Sequence, residues 1–418
     1  MKREALISGG GIGGLAAALA LGRADWRVRL YERAAAFTPV GAGVQLGPNV
    51  TRVLQHWGLG RGLQEWAAFP DRLEVRDASS AKVLGQLALG ERARQTYGAP
   101  YATMHRADLH GLLLGEVQRS GDFQMRLGAE LVSCLQDEHG VTVSGLSQGA
   151  RAPTGSDRGE LLVVADGLWS QLRQRLLHDG PPQPTGHLAY RTLLHQAALP
   201  LALRSQQVTV WLGPHLHVVD YPVRGGEARN LVVFLEGEAP MDAQSWDHQA
   251  HAARLQSAIS GQARPLRDLI DAATDATTDA LPSAGAGWRL WALSDRMPMA
   301  AARQHAVGRV ALLGDAAHPM LPYLAQGAGM AIEDAACLQQ ALTRDRQKVS
   351  SALAAYAADR WQRNARVQAR SRRNGQIFHA AGPLRWGRNA ALGVFGAKLL
   401  DMPWLYGFDV TASPKPAP

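Results

Sequence analysis

The chain has 418 residues, 46% hydrophobic and 19% charged, which suits two domains built around shared cores. Its net charge of +8 is spread along the sequence, which speaks against a nucleic-acid surface, and no apolar run approaches the roughly 20 residues that span a bilayer. Its two cysteines, Cys134 and Cys337, lie far apart without redox or metal spacing, so a reduced, cytoplasmic protein with no disulfide framework and no metal is expected.

In chain order, residues 4–8 read as a short buried strand that leads into Gly9 rather than into a secretory signal. A turn over Gly9–Gly14, an Ala-rich helix over Leu15–Leu21 and an alternating strand over Trp26–Glu32 complete a βαβ start. Residues 102–120 read as a helix, and 161–166 (LLVVAD) as a continuous apolar strand of a covered parallel sheet. From about 183 to 284 the pattern changes. QVTVWL and LHVVDYPV alternate, and the turn Arg224-Gly225-Gly226-Glu227 leads into NLVVFLEG, which predicts antiparallel hairpins followed by a helix around 246–260. The strand-like pieces in 70–100 are placed on the same sheet. RVALLG (309–314) returns to a parallel-type strand, with helices from about 327 to 343 and 350 to 380. Arg360, Arg363, Arg366 and Arg370 fall at helical spacing and read as one solvated face. Residues 413–418 read as a disordered tail.

The fold class is therefore α/β. A discontinuous Rossmann-like nucleotide domain (1–70, 101–180 and 285–375) carries an inserted antiparallel-sheet substrate domain (71–100 and 181–284). Residues 376–418 form a C-terminal helical segment and tail. The apolar stretch 376–406 suits capping, homodimer packing or a membrane-surface contact.

Three motifs carry chemistry. Gly9-x-Gly11-x-x-Gly14, between strand and helix, is a dinucleotide loop: a tight turn, a close approach to pyrophosphate, and close helix–strand packing, with Ile12 and Gly13 at the helix start. The alternative is a plain Gly-rich turn, but Glu32 at the end of the second strand can accept from an adenosine ribose. Asp166-Gly167 follows the apolar strand, with Ser170 then opening a helix; a merely capped helix accounts for it equally well. Gly314-Asp315 ends a strand, Pro322 stiffens the loop, and Gln326 to Gly329 open a helix whose N–H groups can face an electron-rich ring. His318 in this loop reads as structural rather than as a base.

Together, Gly9-x-Gly11-x-x-Gly14 with Glu32-Arg33, Asp166-Gly167 and Gly314-Asp315 resemble the three-motif signature of single-component FAD-dependent aromatic hydroxylases of the para-hydroxybenzoate hydroxylase fold. The resemblance covers nearly the whole chain. GAGVQLGPN (41–49), HRADLH (105–110), 318–335 and WLYGFD (404–409) look like the branch of salicylate hydroxylase, 3-hydroxybenzoate 6-hydroxylase and 6-hydroxynicotinate 3-monooxygenase. The resemblance implies FAD, bound by the residues already named with Gly43, Val44, Arg106, Leu131, Gly327, Ala328, Gly329 and Met330, and reduction by NADH or NADPH. It also implies O2 and a small aromatic substrate, hydroxylated through a flavin C4a-hydroperoxide. Such chemistry needs a base at the substrate hydroxyl in a dry pocket. The branch's His-x-x-x-Tyr pair matches His217 and Tyr221, which share one face of a strand, and its substrate-contacting glutamine matches Gln326. Gln45 stands where some hydroxypyridine enzymes carry histidine, and no arginine aligns with the substrate-carboxylate arginine of para-hydroxybenzoate hydroxylase. The expected activity is hydroxylation of a hydroxybenzoate- or salicylate-like phenol. A hydroxypyridine or hydroxynicotinate monooxygenase, and a quinone-pathway hydroxylase at a membrane surface, are the alternatives.

Overall fold

A computed structural model describes residues 2–38, 42–147, 149, 155–238, 248–249, 252–275 and 287–412. Its first layer is a six-stranded sheet gathered from distant parts of the chain. In spatial order the strands are Ala306–Val307, Val310–Leu312, Leu161–Val164, Arg3–Ser8, Trp26–Glu32 and Phe123–Leu127. All neighbours run parallel except the first pair. Leu161–Val164 is wholly buried, as a strand covered on both faces must be. The Ile12–Arg23 helix packs against the Gly327–Arg344 helix and the Arg106–Arg119 helix. Their small residues (Ala16, Ala17, Ala20, Ala331, Ala335) allow close approach in the largest core.

The second layer is an eight-stranded sheet in the order His248–Gln249, Arg289–Asp295, Gln183–His195, Ala228–Glu236, Leu216–Val223, Val208–Gly213, Arg72–Asp77 and Val83–Ala88. The pieces from 70–100 do join it, through a parallel pairing of Arg72–Asp77 with Val208–Gly213. The Val349–Phe378 helix, about 45 Å long at 1.5 Å per residue, ties the layers together. Arg360 on it bonds to Asp334 in the first layer, and His379 just beyond it bonds to His217 in the second.

Several expectations need correction. Residues 102–105 are not helical. Ala102–His105 pairs antiparallel with Gly43–Leu46, and the helix starts at Arg106. Arg289–Asp295 pairs with Gln183–His195 in the large sheet, so the third stretch of the first layer begins after 295, not at 285. A three-stranded antiparallel sheet (Ala129–Gln136, Val141–Ser147 and Ser156–Gly159) was not anticipated. Of the helix foreseen at 246–260, Ala252–Ile259 is helical, but His248–Gln249 is an edge strand; residues 246, 247, 250 and 251 lie outside the described residues, as does the tail 413–418.

The arginine face is only partly solvated: Arg366 is exposed, but Arg360 and Arg363 turn to buried acids. Arg360 is fully buried and bonds to Glu333 and Asp334 at 2.8 Å each, and Arg363 is held by the same Glu333. Arg366 lies over the Trp404 ring. Helical spacing alone cannot tell a solvent-facing cation from one facing buried acids on the next helix.

Candidate active site

The Gly-rich loop crosses the carboxyl ends of the parallel strands. Gly9 has φ +98°, and a Cβ there would lie 2.4 Å from the Ala165 carbonyl oxygen. At Gly14 a Cβ would lie 1.9 Å from the Gly9 oxygen, which enforces helix–strand contact. Gly11 is different: a Cβ would meet no protein atom within 4 Å, and the residue borders open cleft. The helix it opens has no acid in its first turn and no side-chain cap, so its N–H groups and positive end are available to an anion.

Two clefts meet at Gly11, Ala165 and Gly167. The smaller, of about 200 Å³, is lined by Gly9, Glu32, Arg33, Leu131 and Asp166. The Glu32 carboxylate accepts from the Gly10 N–H at 2.7 Å and the Ala34 N–H at 2.8 Å, which fixes it at the strand end. Asp166 Oδ1 is buried without a hydrogen-bond partner, and burial pushes its carboxyl up to about 7. Ser170 also caps its helix, accepting from the Arg173 N–H at 3.0 Å, as the capped-helix reading expects.

The larger cleft, of about 310 Å³, lies between the layers. Its floor comprises Gly11, Ile12, Gly13, Gly43, Val44, Arg106, Gly314, Asp315, Pro322, Gly327 and Ala328. Asp315 opens onto the cleft; the surrounding protein pushes its carboxyl up, and Arg106 opposes this. The wall supplied by the large sheet carries Arg191, Val219, Tyr221, Val232, Phe234 and Trp291. Leu131 lines the smaller cleft with Glu32, and Arg106 the larger one.

Not every expected residue reaches a cleft. Gly14, Gly329 and Met330 sit behind the lining; Met330 is fully buried, and a Cβ on Gly329 would come 2.6 Å from Val50. Gln326 is turned into the protein, where its amide oxygen accepts from Asn49 Nδ2 at 3.1 Å; Asn49 in turn donates to buried Glu333 at 2.6 Å. It therefore does not line the larger cleft as a substrate contact would. Tyr221 does line it. His217, on the same strand face, is fully buried beside Phe234, with ring centroids 4.3 Å apart, and only Phe234 borders the cleft. His318 is buried with Nε2 2.5 Å from Asp334, a structural place, as its loop setting suggested.

Sequence reasoning missed Arg191. Its guanidinium stacks 3.6 Å from the Trp291 ring centroid, its Nε has no hydrogen-bond partner, and no carboxylate pairs with it among the described residues. Desolvation lowers its pKa to about 9. The available signal was a lone arginine in the apolar strand LAYRTLL.

The joined clefts, the space beside Gly11, two helix N-termini and the orphaned Asp166 Oδ1 fit an extended dinucleotide. The FAD-binding-domain family model matches residues 2–371, and the chain belongs to that family. It is an FAD-dependent aromatic-ring monooxygenase. It is 37% identical over 408 residues to a 3-hydroxybenzoate 6-hydroxylase of Polaromonas naphthalenivorans, covering 97% of this chain and 96% of that one. It is 30% identical over 419 residues to a 6-hydroxynicotinate 3-monooxygenase of Bordetella bronchiseptica, covering 99% and 97%. Among solved structures, a salicylate hydroxylase substrate complex superposes with a TM-score of 0.78 at 26% identity, over 98% of this chain and 96% of the other.

Proposed function

We propose that the chain uses NADH or NADPH and O2 to hydroxylate a small phenolic carboxylate of the hydroxybenzoate or salicylate kind. In this reading the six-stranded layer holds FAD and the eight-stranded sheet holds the substrate. The carrying observation is Arg191, a cation without a carboxylate partner among the described residues, on the same cleft wall as Tyr221. A guanidinium stacked on an indole keeps its edge free for a two-point contact with a carboxylate. Burial raises the Tyr221 phenol's pKa, so it stays protonated and can donate to a substrate oxygen. Val219, Val232, Phe234, Leu293 and Met320 make the remaining wall apolar, which excludes water from the ring.

Bound FAD would take electrons from the nicotinamide and activate oxygen. Gly11, Glu32, Asp166, Arg106 and Asp315 would hold it along the two clefts. The protein supplies the carboxylate anchor, the hydroxyl contact and the dry wall. The same anchor would accept a hydroxynicotinate.

The test is a panel of hydroxybenzoates, hydroxynicotinates and phenols without a carboxylate, followed by NAD(P)H consumption and product mass. Carboxylated rings should stimulate consumption most and yield a product heavier by one oxygen atom. Stimulation only by rings lacking a carboxylate would overturn the reading.

A further inference from the structure

Beside the cleft wall, three side chains from three elements form a row whose proton positions can be worked out from its charged end. Glu236 ends the Ala228–Glu236 strand. Burial opposes its ionisation, but hydrogen bonds from His215 and His379 outweigh this and lower its pKa. Its Oε2 is 2.8 Å from His215 Nδ1, and its Oε1 is 3.3 Å from His379 Nδ1. A carboxylate only accepts, so Nδ1 of His379 carries a proton. Burial and neighbouring His187 bring His379 down to about 4, so near neutral pH it has that one proton and a lone pair on Nε2.

His379 Nε2 lies 2.7 Å from His217 Nδ1, which must therefore be the donor. Burial, with His379 and His187 nearby, holds His217 neutral. Its remaining nitrogen, Nε2, is consequently a bare lone pair, and it is buried without a partner. This is where a general base needs its acceptor, one residue behind the cleft lining at Phe234.

We infer that His379 and Glu236 are positioning residues that hold His217 in the tautomer with Nε2 free, and that this row carries the proton of a bound phenol out to solvent. The inference rests on the phenol-hydroxylase reading above. Phe234 stands between His217 and the cleft, so the transfer requires the phenol hydroxyl to enter past that ring to Nε2. Its O–H bond breaks, the oxygen keeps the electron pair, and an N–H bond forms at His217 Nε2. The Nδ1 proton of His217 passes to His379 Nε2, and that of His379 to Glu236, which is half-exposed beside exposed His215. Reverse transfer to the product phenolate restores every tautomer.

The other titratable groups around the row are His187, stacked on His379, Tyr323, bonded to His187, and Asp295 near Tyr323. His187, Glu236 and His379 also bring ligand atoms within 4.8 Å of one another, but imidazoles stacked only 26° from parallel do not converge on one ion.

The experiment uses the FAD-loaded protein and a nitro-substituted hydroxybenzoate, whose bound phenolate is followed by difference absorbance against pH without turnover. His379→Gln and Glu236→Gln should each raise the pKa of the bound phenol by about one unit, a tenfold loss in ionisation. With a turning-over substrate they should move the acid limb of the kcat profile upward and lower kcat about tenfold at neutral pH. The half-exposed Glu236 site keeps the test available if the buried His379 variant does not fold. An unchanged bound pKa and pH profile in a fully flavinated Glu236→Gln protein would overturn the inference. If no phenol stimulates the wild type, the hydroxylase reading falls instead, and the binding titration tells the two failures apart.

Discussion

Arg191 stacks on Trp291, its guanidinium carbon 3.6 Å from the ring centroid, and both residues line the cleft between the layers. The indole face holds the cation flat and leaves its edge free. Charge-assisted hydrogen bonds of this kind contribute about 1.5–3 kcal/mol. Arg191→Ala should therefore raise KM for a hydroxybenzoate by roughly 10- to 100-fold while leaving KM for the corresponding carboxylate-free phenol almost unchanged. Arg191→Lys should recover little, because an ammonium neither stacks nor forks. Equal losses on both substrates would remove Arg191 as the carboxylate anchor.

Gly11 and Gly14 make a contrasting pair for testing the cofactor site. A side chain at Gly11 meets no protein atom within 4 Å, whereas one at Gly14 collides with the Gly9 carbonyl. Gly11→Val should fold with near wild-type thermal stability yet purify without flavin absorbance. Gly14→Val should fail to accumulate as folded protein. A flavin-loaded Gly11→Val protein would place the pyrophosphate elsewhere. Asp315→Ala, which removes the carboxylate opening onto the cleft floor, should also purify largely colourless.

The cofactor half of this site was legible in the sequence because its signals are local. Gly9, Gly11, Gly14 and Glu32 follow a strand–turn–helix–strand pattern whose spacing is set by backbone geometry, and the structure lines its clefts with Gly9, Gly11 and Glu32. The cleft wall proposed to meet the substrate is assembled by pairing distant strands. Arg191, Tyr221 and Trp291 come from three strands, and nothing in their spacing announces that they share a wall. His217 was visible as a candidate, but its partner His379 lies 162 residues further on, past the end of a long helix. Gln326 was misplaced for a related reason: its amide is taken by Asn49, which itself satisfies buried Glu333.

Glu333 and Asp334 lie at the heart of the first layer and are held ionised, their burial outweighed for Glu333 by Arg363 and Arg360, and for Asp334 by His318 and Arg360. Removing one member of such a set strands a buried charge and costs about 3–5 kcal/mol. Arg360→Met should show that loss in urea denaturation, read as a lower midpoint at an unchanged slope. A loss below about 1 kcal/mol would mean that the acids find other partners or become neutral.

His305 gives the fold an acid sensitivity with a calculable sign. It is fully buried beside this network; Asn364 Nδ2 lies 2.9 Å from its Nε2, and its Nδ1 is 3.2 Å from the Leu312 carbonyl. The Leu312 carbonyl only accepts and the Asn364 amide nitrogen only donates, so the neutral ring satisfies both and a second proton would face a donor. Burial accordingly lowers its pKa to about 3, from an unfolded value near 6.5. Between those values the unfolded chain binds a proton that the folded chain refuses, so stability falls as pH drops below 6.5, by at most about 1.4 kcal/mol per pH unit from this group. His305→Gln should be less stable at pH 8 but lose less on acidification. Melting temperatures measured from pH 8 to pH 5 should therefore fall more steeply for the wild type than for the variant, and parallel curves would show that His305 titrates normally.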